Sequence, residues 1–434
     1  MAALVATAAE LGLGTAPDQW PHWRGPFFNG SSTATNLPAT FSKTENVLWA
    51  ADLPGPSAAT PAVWDNHVFV SSTDAEAGTL LALALDRGTG RELWRHQLGE
   101  KAARDNMSNY ASPSPTTDGA LVVFFYGQGT LAAFDLAGNR RWLRQLATDY
   151  GEFAFGWTFA SSPLLDNGRL YVQVLQRDVP VGGRGRSEGP NDSYLLALDP
   201  ATGRELWRQL RPSDARAESR ESFASPLPYR HNDRAEILLI GGDCLTGHDP
   251  ATGRELWRWG TWNPTRIPHW RQVPSPTAAS GIILACAPKR DPIYAIKAGG
   301  QGTLGDGAIA WKTTGQRELT SDVPTPLVYL GDFFILSDLQ KSLARVDPAT
   351  GRVKWLIATP GNAKYEASPT GADGRVYLLN FRGDVVVVEA EDGKVVHQAG
   401  FGEAGDDRIR STIAAVGNQL FIRTNRKLCC VGTR

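Results

Sequence analysis

The ten-residue stretch DPATGRELWR occurs twice in the chain, at residues 199–208 and 249–258, with every position identical. A third copy, DRGTGRELWR, occupies residues 86–95 and differs at two positions. Self-similarity that recurs along a chain is the signature of a repeat architecture, in which each copy belongs to one structural unit. The stretch therefore predicts a repeated element of the fold rather than a single catalytic motif.

A tryptophan closes each copy, including more divergent ones. The tryptophans that align in this way are Trp49, Trp94, Trp142, Trp207, Trp257, Trp311 and Trp355, and His397 stands where the next one is due. Successive spacings are 45, 48, 65, 50, 54 and 44 residues. A period of about 40–50 residues is typical of a propeller blade.

Each unit has the same internal order. It opens with a Ser/Thr-Pro pair, found at Thr60-Pro61, Ser112-Pro113, Ser162-Pro163, Ser225-Pro226, Ser275-Pro276, Thr325-Pro326 and Ser368-Pro369. Apolar strands separated by Asp/Asn/Gly turns follow, and the last strand carries the tryptophan. Period-2 alternation and β-branched residues predict strands throughout. Each unit is thus a four-stranded meander, which needs a neighbour on both sides to bury its faces.

The two ends of the chain complement each other. Residues 411–431 supply three strands, and the missing fourth is NVLWAADL at 46–53. Pairing these segments would close a ring and remove two exposed sheet edges. We therefore expect an all-β, eight-bladed β-propeller of four-stranded antiparallel blades, closed by an N-terminal strand. Seven blades is the alternative if the stretch between Trp257 and Trp311 folds irregularly.

The expected organisation is a single propeller domain over residues 20–434, with a leader at 20–45 and blades over 46–434. Residues 1–19 are expected to be a signal-peptide remnant or a disordered tail, because they are Ala-rich and carry a small-x-small pattern without a basic start. The net charge of −1 gives no basis for nucleic-acid binding, and no apolar run is long enough to span a membrane. A monomer is expected.

The chemistry of the repeated phrase is structural. Its Asp can accept backbone N–H groups across a turn, and Gly203 and Gly253 stand where a hairpin requires a left-handed backbone. The tryptophan then lies on the outer strand, where its indole can pack against the adjoining blade. We interpret these tryptophans as contacts between blades rather than as ligand contacts.

This pattern resembles the pyrroloquinoline-quinone-type (PQQ-like) repeat, with its A-x-D-x-x-T-G-x-x-x-W motif at Ala197, Asp199, Thr202, Gly203 and Trp207. The leader WPHWRGPFFNGSS (20–32) is similar to that of many bacterial PQQ-like propeller proteins. The resemblance implies the propeller fold and a periplasmic or extracellular location. It leaves two functions open: a non-catalytic binding scaffold of the BamB type, or a quinoprotein oxidoreductase that uses PQQ and Ca²⁺.

The residues favour the scaffold. The adjacent pair Cys429-Cys430 lies in the last strand of the closing blade, so two thiols on opposite faces are expected rather than the vicinal disulfide of quinoproteins. No Asp-Glu-Asn set matches calcium ligands, and the seven histidines have no metal-binding spacing. No metal and no cofactor is therefore predicted, and PQQ and calcium enter only under the oxidoreductase alternative.

The long connections are predicted to crowd one rim of the propeller, where rigid scaffolds place binding residues. Two of them, 147–161 and 259–273, combine aromatic with cationic side chains that could hold a protein partner or a small-molecule or carbohydrate ligand. The candidates are Tyr150, Phe155, Trp157, Trp262, Arg266, His269, Trp270 and Arg271. The alternative is that these aromatics plug the channel. Acid/base hydrolysis would draw on Glu152, Asp322, Glu366, Asp406 or Asp407.

Overall fold

The computed structural model describes residues 18–102, 105 and 107–433. The chain forms eight sheets arranged as the blades of a β-propeller, as predicted. The first strand, β1 (Val47–Asp52), belongs to the last blade. The expectation of a signal-peptide remnant or tail at residues 1–19 concerns a segment of which residues 1–17 lie outside the described part.

Blades 1 to 4 follow one another along the chain. Blade 1 comprises β2 (Ala62–Trp64), β3 (His67–Asp74), β4 (Thr79–Asp86) and β5 (Glu92–Gly99). Blade 2 comprises β6 (Thr116–Thr117), β7 (Leu121–Phe125), β8 (Thr130–Asp135) and β9 (Arg140–Gln145). Blade 3 comprises β10 (Leu164–Asp166), β11 (Arg169–Val174), β12 (Tyr194–Leu198) and β13 (Glu205–Leu210). Blade 4 comprises β14 (Leu227–His231), β15 (Arg234–Gly241), β16 (Cys244–His248) and β17 (Glu255–Trp259).

Blades 5 to 8 complete the ring. Blade 5 comprises β18 (Thr277–Ala279), β19 (Ile282–Cys286), β20 (Ile293–Lys297) and, after β21 (Gly302–Leu304), β22 (Ile309–Lys312). Blade 6 comprises β23 (Leu327–Tyr329), β24 (Asp332–Ser337), β25 (Ser342–Val346) and β26 (Val353–Ala358). Blade 7 comprises β27 (Thr370–Ala372), β28 (Arg375–Leu379), β29 (Asp384–Glu389) and β30 (Val395–Gly400). Blade 8 comprises β31 (Ala414–Val416), β32 (Gln419–Arg423) and β33 (Lys427–Gly432), joined by β1.

The stretch between Trp257 and Trp311 is irregular in only one place. Its strands form a complete fifth blade, so the seven-bladed alternative is wrong. The irregular part is the connection between β20 and β22, which contributes β21 as a fifth, parallel strand on the outer edge of blade 4. One short α-helix, α1 (Leu146–Tyr150), and 3₁₀ turns at Ala217–Arg220, Asp306–Ala308 and Arg317–Leu319 lie in connections. No helix in the described part is long and apolar enough to cross a membrane.

The burial pattern along each blade follows from face-to-face stacking. The two central strands are buried on both faces, as in β12 (YLLAL), because each sheet is covered by a blade on either side. The outer strand β13 (ELWRQL) instead alternates between exposed and half-buried residues. Apolar runs in the sequence thus mark the inner strands, and burying them supplies about 25 cal/mol per Å² of apolar surface.

The repeated phrase joins each blade to the next. Five indoles donate their Nε1–H to the carbonyl of the second turn residue in the following blade, over 2.7–3.1 Å: Trp49 to Arg87, Trp94 to Leu136, Trp142 to Pro200, Trp311 to Pro348 and Trp355 to Ala390. The indole of Trp142 also lies over Gly203, which has a φ of +72° and no room for a side chain. One copy of the phrase therefore supplies the tryptophan, and the next copy supplies the surface that receives it.

Trp207 packs over Gly253, but its Nε1 has no hydrogen-bond partner among the described residues. Two further positions in this series differ for a geometric reason. Trp257 donates to the Glu236 carboxylate within its own blade, at 2.6 Å, because blade 5 has the long 298–308 connection where the short turn would be. His397 faces blade 8, whose third and fourth strands come from opposite ends of the chain. No turn joins them, and the His397 ring instead bonds to the backbone of Phe41 in the leader at 2.7 Å.

A belt of hydroxyl groups surrounds the axis where the innermost strands begin. The backbone N–H of a Ser/Thr residue in one blade donates to the side-chain oxygen of its counterpart in the next blade, over 2.8–3.1 Å. The bonds run from Thr412 to Thr60, and then in order through Ser114, Ser162, Ser225, Ser275, Thr325 and Ser368. This explains the Ser/Thr-Pro pairs of the sequence. In blade 2 the belt uses Ser114-Pro115, so the expected pair Ser112-Pro113 is wrong by two residues.

The leader closes the channel at the rim that carries the short turns. It pairs with innermost strands of several blades: Trp20 with Val63, Pro21 with Thr117, Asn29 with Val328 and Gly30 with Gly371. The buried Arg24 guanidinium donates to the carbonyls of Pro326 and Pro369. Burial lowers the pKa of His22 to about 3, so the imidazole stacked on Phe28 is neutral. The leader therefore forms the channel plug, a role that had been considered for the loop aromatics.

Candidate functional site

A cavity of about 360 Å³ occupies the axis at the opposite rim, where the long connections lie. We call it the axial cavity. Its wall is formed mainly by loops that precede the innermost strands of all eight blades and by the residues that follow two second strands, β19 and β24. Trp23 of the leader lines the cavity on the side that faces the turn rim. The cavity is thus closed towards the turn rim and open towards the loop rim.

Among the described residues, the wall of the axial cavity carries four positive and four negative side chains. The cationic side chains are Arg271, Lys289, Lys364 and Arg410, and the anionic ones are Glu218, Asp322, Asp338 and Glu366. All eight come from the non-repeating stretches of the sequence. A cavity with this lining can orient a ligand by charge without attracting a strongly anionic or cationic one.

One side of the wall is a chain of polar contacts across blades 4 to 6. Arg271 lies 3.9 Å from the Glu218 carboxylate and 3.7 Å from that of Asp322. Asp322 Oδ1 accepts the backbone N–H of Lys289 at 2.7 Å, and the Asp322 N–H donates to Asp338 Oδ1 at 3.0 Å. These contacts fix the two aspartates relative to each other.

The other side of the wall is a second group, from the connections before blades 7 and 8. Arg410 donates to the Glu366 carboxylate at 2.7 Å and to the carbonyl of Met107 at 2.5 Å. Its guanidinium also stacks over Phe381, 4.9 Å from the ring centre. Lys364 lies 3.7 Å from the Glu366 carboxylate. Glu366 is therefore neutralised from two directions.

Asp338 is the acidic group of the cavity whose proton affinity is most altered. Burial, together with the nearby carboxylates of Asp322 and Glu366, raises its pKa to about 6. Its side chain is 3% exposed. A carboxyl that is buried among like charges resists ionisation unless a cation approaches it.

Trp157 gives the cavity an apolar face. It is 40% exposed, and its Nε1–H donates to Glu218 at 3.2 Å. The loop that carries it is held by Glu221, a fully buried residue whose carboxylate accepts the N–H of Gly156 and pairs with Arg177. Because Trp157 stands on a fixed loop, its exposed face is available to a ligand at little cost in conformational entropy.

Hydroxyl groups form the floor of the axial cavity. Ser114, Ser162, Ser225 and Ser368 of the belt line it, and each accepts the N–H of a neighbouring blade. A hydroxyl that accepts one bond still has a proton to donate. The belt therefore adds donors to the cavity as well as joining the blades.

Two of the residues proposed from the sequence, Trp157 and Arg271, line the axial cavity. The other six lie outside its lining. Tyr150 bonds to Glu205 and Arg144 at the edge of blade 3, Phe155 is buried against Phe153 and Phe159, and Trp262 is buried against Trp259. Arg266 pairs with Asp214, the backbone of Trp270 bonds to Ser219, and His269 is exposed.

Several wall residues were not among those candidates. Asp322 and Glu366 were noted only as acid/base candidates, while Trp23, Glu218, Lys289, Asp338, Lys364 and Arg410 were not singled out. A signal existed for two of them, since Lys289 and Asp338 both follow the second strand of a blade, β19 and β24. Equivalent positions in adjacent blades lie at the same rim.

A sequence profile described as outer membrane protein assembly factor BamB matches residues 31–179, 152–300 and 241–434. The chain belongs to this PQQ-like propeller family. Among proteins of curated function, none matches the sequence.

Solved structures of PQQ-like propellers share the fold at low identity. A europium-containing methanol dehydrogenase has a TM-score of 0.69 at 11% identity, with 98% of this chain and 100% of that one covered. A quinohemoprotein alcohol dehydrogenase from Comamonas testosteroni has 0.67 at 12%, covering 99% and 82%. BamB from Moraxella catarrhalis has 0.58 at 12%, covering 88% and 98%. These likenesses establish the fold alone.

In the described part, no three carboxylate, imidazole or thiol side chains are grouped so that they could hold a metal ion. Cys429 and Cys430 are buried in β33, unbonded and away from the axial cavity, and burial raises the pKa of the Cys429 thiol to about 11.

Proposed function

We propose that this protein is a non-catalytic binding module that holds a small polar ligand in the axial cavity, in the periplasm or outside the cell. The observation that carries the proposal is the cavity itself, which is closed behind by the leader and lined by eight charged side chains and an exposed tryptophan. Its volume of about 360 Å³ falls in the range of small-molecule sites, about 300–1,000 Å³. The wall is held by hydrogen bonds and ion pairs that exist without a ligand, so the site is preorganised.

Calorimetric titration tests the proposal with a panel of amino acids, D-glucose, succinate, and PQQ with Ca²⁺. We expect at least one small polar compound to bind, and Arg271→Gln and Trp157→Leu to weaken it about tenfold or more. Arg141→Gln is the matched control, because Arg141 is an exposed arginine on the outer strand β9. An equal loss of affinity in the Arg141 variant would contradict the proposal, and so would an affinity that is unchanged in both cavity variants.

The quinoprotein alternative has its own arm in the same experiment. Saturable binding of PQQ with Ca²⁺, followed by dye reduction in the presence of alcohols or aldoses, would replace the binding module by an oxidoreductase. Reduction that persists in Arg271→Gln and Trp157→Leu would place that chemistry outside the axial cavity.

A protein partner on the loop rim is the second candidate function. Met107 and Trp157 are each 40% exposed, both line the mouth of the axial cavity, and exposed large apolar side chains of this kind anchor protein interfaces. Under this alternative, Met107→Ser and Trp157→Ser would abolish capture of a partner. Small-molecule titrations would then show no binding.

A further inference from the structure

Two opposite charges in the axial cavity make no ion pair with any described residue. No ion pair within the described residues reaches the Lys289 ammonium, and none reaches the Asp338 carboxylate, although both side chains line the cavity. They also make no ion pair with each other. Lys289 follows β19 and Asp338 follows β24, so the two stand at the loop rim of adjacent blades.

The other six charges of the wall satisfy one another. Arg271 lies between Glu218 and Asp322, and Glu366 lies between Lys364 and Arg410. Three cations and three anions are thereby used. What remains for a ligand is one ammonium and one carboxylate on the same side of the cavity.

We propose that the ligand is a small zwitterion with an ammonium and a carboxylate, of the size of a free amino acid or a short peptide. Its ammonium binds Asp338, and its carboxylate binds Lys289. This inference rests on the proposed function and specifies its ligand class. A buried carboxylate without a cation is costly, and a ligand ammonium would remove that cost.

The detailed contacts of Asp338 fit this role. Oδ1 is occupied by the N–H of Asp322 at 3.0 Å, and no hydrogen bond among the described residues reaches Oδ2. An ammonium group supplies three donors, so one of them can satisfy Oδ2. An anionic ligand would instead meet one unpaired cation and one repelling carboxylate.

The apolar part of the wall indicates where the rest of the ligand would lie. Trp157, Phe223, Val273 and Val323 line the cavity beside the Arg271 and Asp322 group. An aliphatic or aromatic ligand side chain would bury its surface there, which contributes about 25 cal/mol per Å². We therefore choose apolar amino acids as the first probes.

Calorimetry with L-leucine, L-phenylalanine and the dipeptide Leu-Gly, each with its N-acetyl and C-terminal amide derivatives, tests the proposal. We expect the free zwitterions to bind and each blocked form to bind about 10- to 100-fold more weakly. In Asp338→Asn the penalty for N-acetylation should disappear, and in Lys289→Met the penalty for amidation should disappear. Circular dichroism of both variants controls for folding.

The outcomes separate this inference from the proposed function. If D-glucose or succinate binds and Arg271→Gln weakens it while no zwitterion binds, the site stands and the ligand class is wrong. If blocked and free forms bind equally, the pairing with Asp338 and Lys289 is wrong. If no probe in either panel binds, the proposed function fails and this inference fails with it.

Discussion

The two rims of the propeller are built by opposite rules. At the turn rim, copies of one phrase repeat the same contact, in which an indole of one blade donates to the turn of the next. At the loop rim, no two connections have the same sequence, and each contributes a different side chain to the axial cavity. Repetition makes one rim a closed structural ring. Divergence makes the other a cavity with individually placed charges.

The contrast extends to how each rim treats its polar groups. The Asp residues of the phrase are satisfied locally, as in Asp199, which accepts the N–H groups of Ala201 and Thr202 at 2.9 and 3.0 Å. Asp338 at the loop rim is buried beside other carboxylates, and only one of its oxygens accepts a hydrogen bond from another described residue. A fold tolerates such a group at a binding site, where a ligand can supply the missing hydrogen bond.

Gly203→Ala should have the largest effect, because it breaks the repeated contact at the turn rim. The new Cβ would lie 2.7 Å from the Trp142 ring at a φ of +72°, so we expect a loss of about 2–4 kcal/mol in the free energy of unfolding. Gly331→Ala is the control, with a φ of +78° but no atom within 4 Å, and should lose about 1 kcal/mol. Equal losses in urea denaturation would show that the indole contact is unimportant.

Asp338→Asn should stabilise the protein at neutral pH, in contrast to any change at the turn rim. The folded-state pKa of about 6 exceeds the ordinary value of 3.8, because of burial and the carboxylates of Asp322 and Glu366, with the Cys286 thiol also nearby. The folded chain thus keeps a proton that the unfolded chain releases between pH 4 and 6. Ionised Asp338 costs stability above pH 6, and this cost vanishes as the pH falls through that window.

For this variant we expect a gain of about 2–3 kcal/mol over the natural protein at pH 8 and no difference near pH 3.5. Urea denaturation of both proteins at the two pH values measures it. A variant that is less stable at pH 8 would show that the carboxylate is stabilised by contacts in the folded state.

Trp142→Phe and Trp207→Phe sharpen the description of the turn rim. The Trp142 indole donates to the Pro200 carbonyl at 2.7 Å, whereas the Trp207 Nε1 is buried without a hydrogen-bond partner among the described residues. Both changes remove ring area, but only the first removes a hydrogen bond. We expect Trp142→Phe to cost about 1 kcal/mol more than Trp207→Phe in thermal denaturation. A larger loss of stability in Trp207→Phe would show that these indoles stabilise the fold mainly by packing rather than by the hydrogen bond.

His269→Ala should have the smallest effect, although the loop sequence made His269 a candidate binding residue. The residue is exposed and does not line the axial cavity. We expect a change in the free energy of unfolding within about 0.5 kcal/mol and an unchanged Kd for any compound whose binding depends on Arg271. A large loss of affinity would extend the site beyond the cavity.

The fold could be predicted from the sequence because repetition reveals it many times over. The four copies that end at Trp94, Trp207, Trp257 and Trp355 place Asp, Gly and Trp at the same spacing, so they identify the repeat even where other units diverge. Only the register in blade 2, Ser114 rather than Ser112, and the path between β20 and β22 needed the structure. Both lie where a unit departs from the consensus.

The site was harder to predict because aromatic content is a poor guide to location. Phe155 and Trp262 are as conspicuous in the sequence as Trp157, yet they are buried within loops and only Trp157 reaches the cavity. Asp338 and Lys289 stand in short connections that have no unusual composition. Their importance arises from the blades that surround them.

By itself the sequence determined the propeller fold, its closure by an N-terminal strand and the structural nature of the repeated phrase, and it favoured eight blades over seven. These depend on local periodicity and turn chemistry, which act between residues close in the chain. Only the tertiary structure decided that the leader plugs the channel and that Lys289 and Asp338 line one cavity. A circular fold brings every unit to one axis, so charges from distant loops meet there at distances that sequence spacing does not encode.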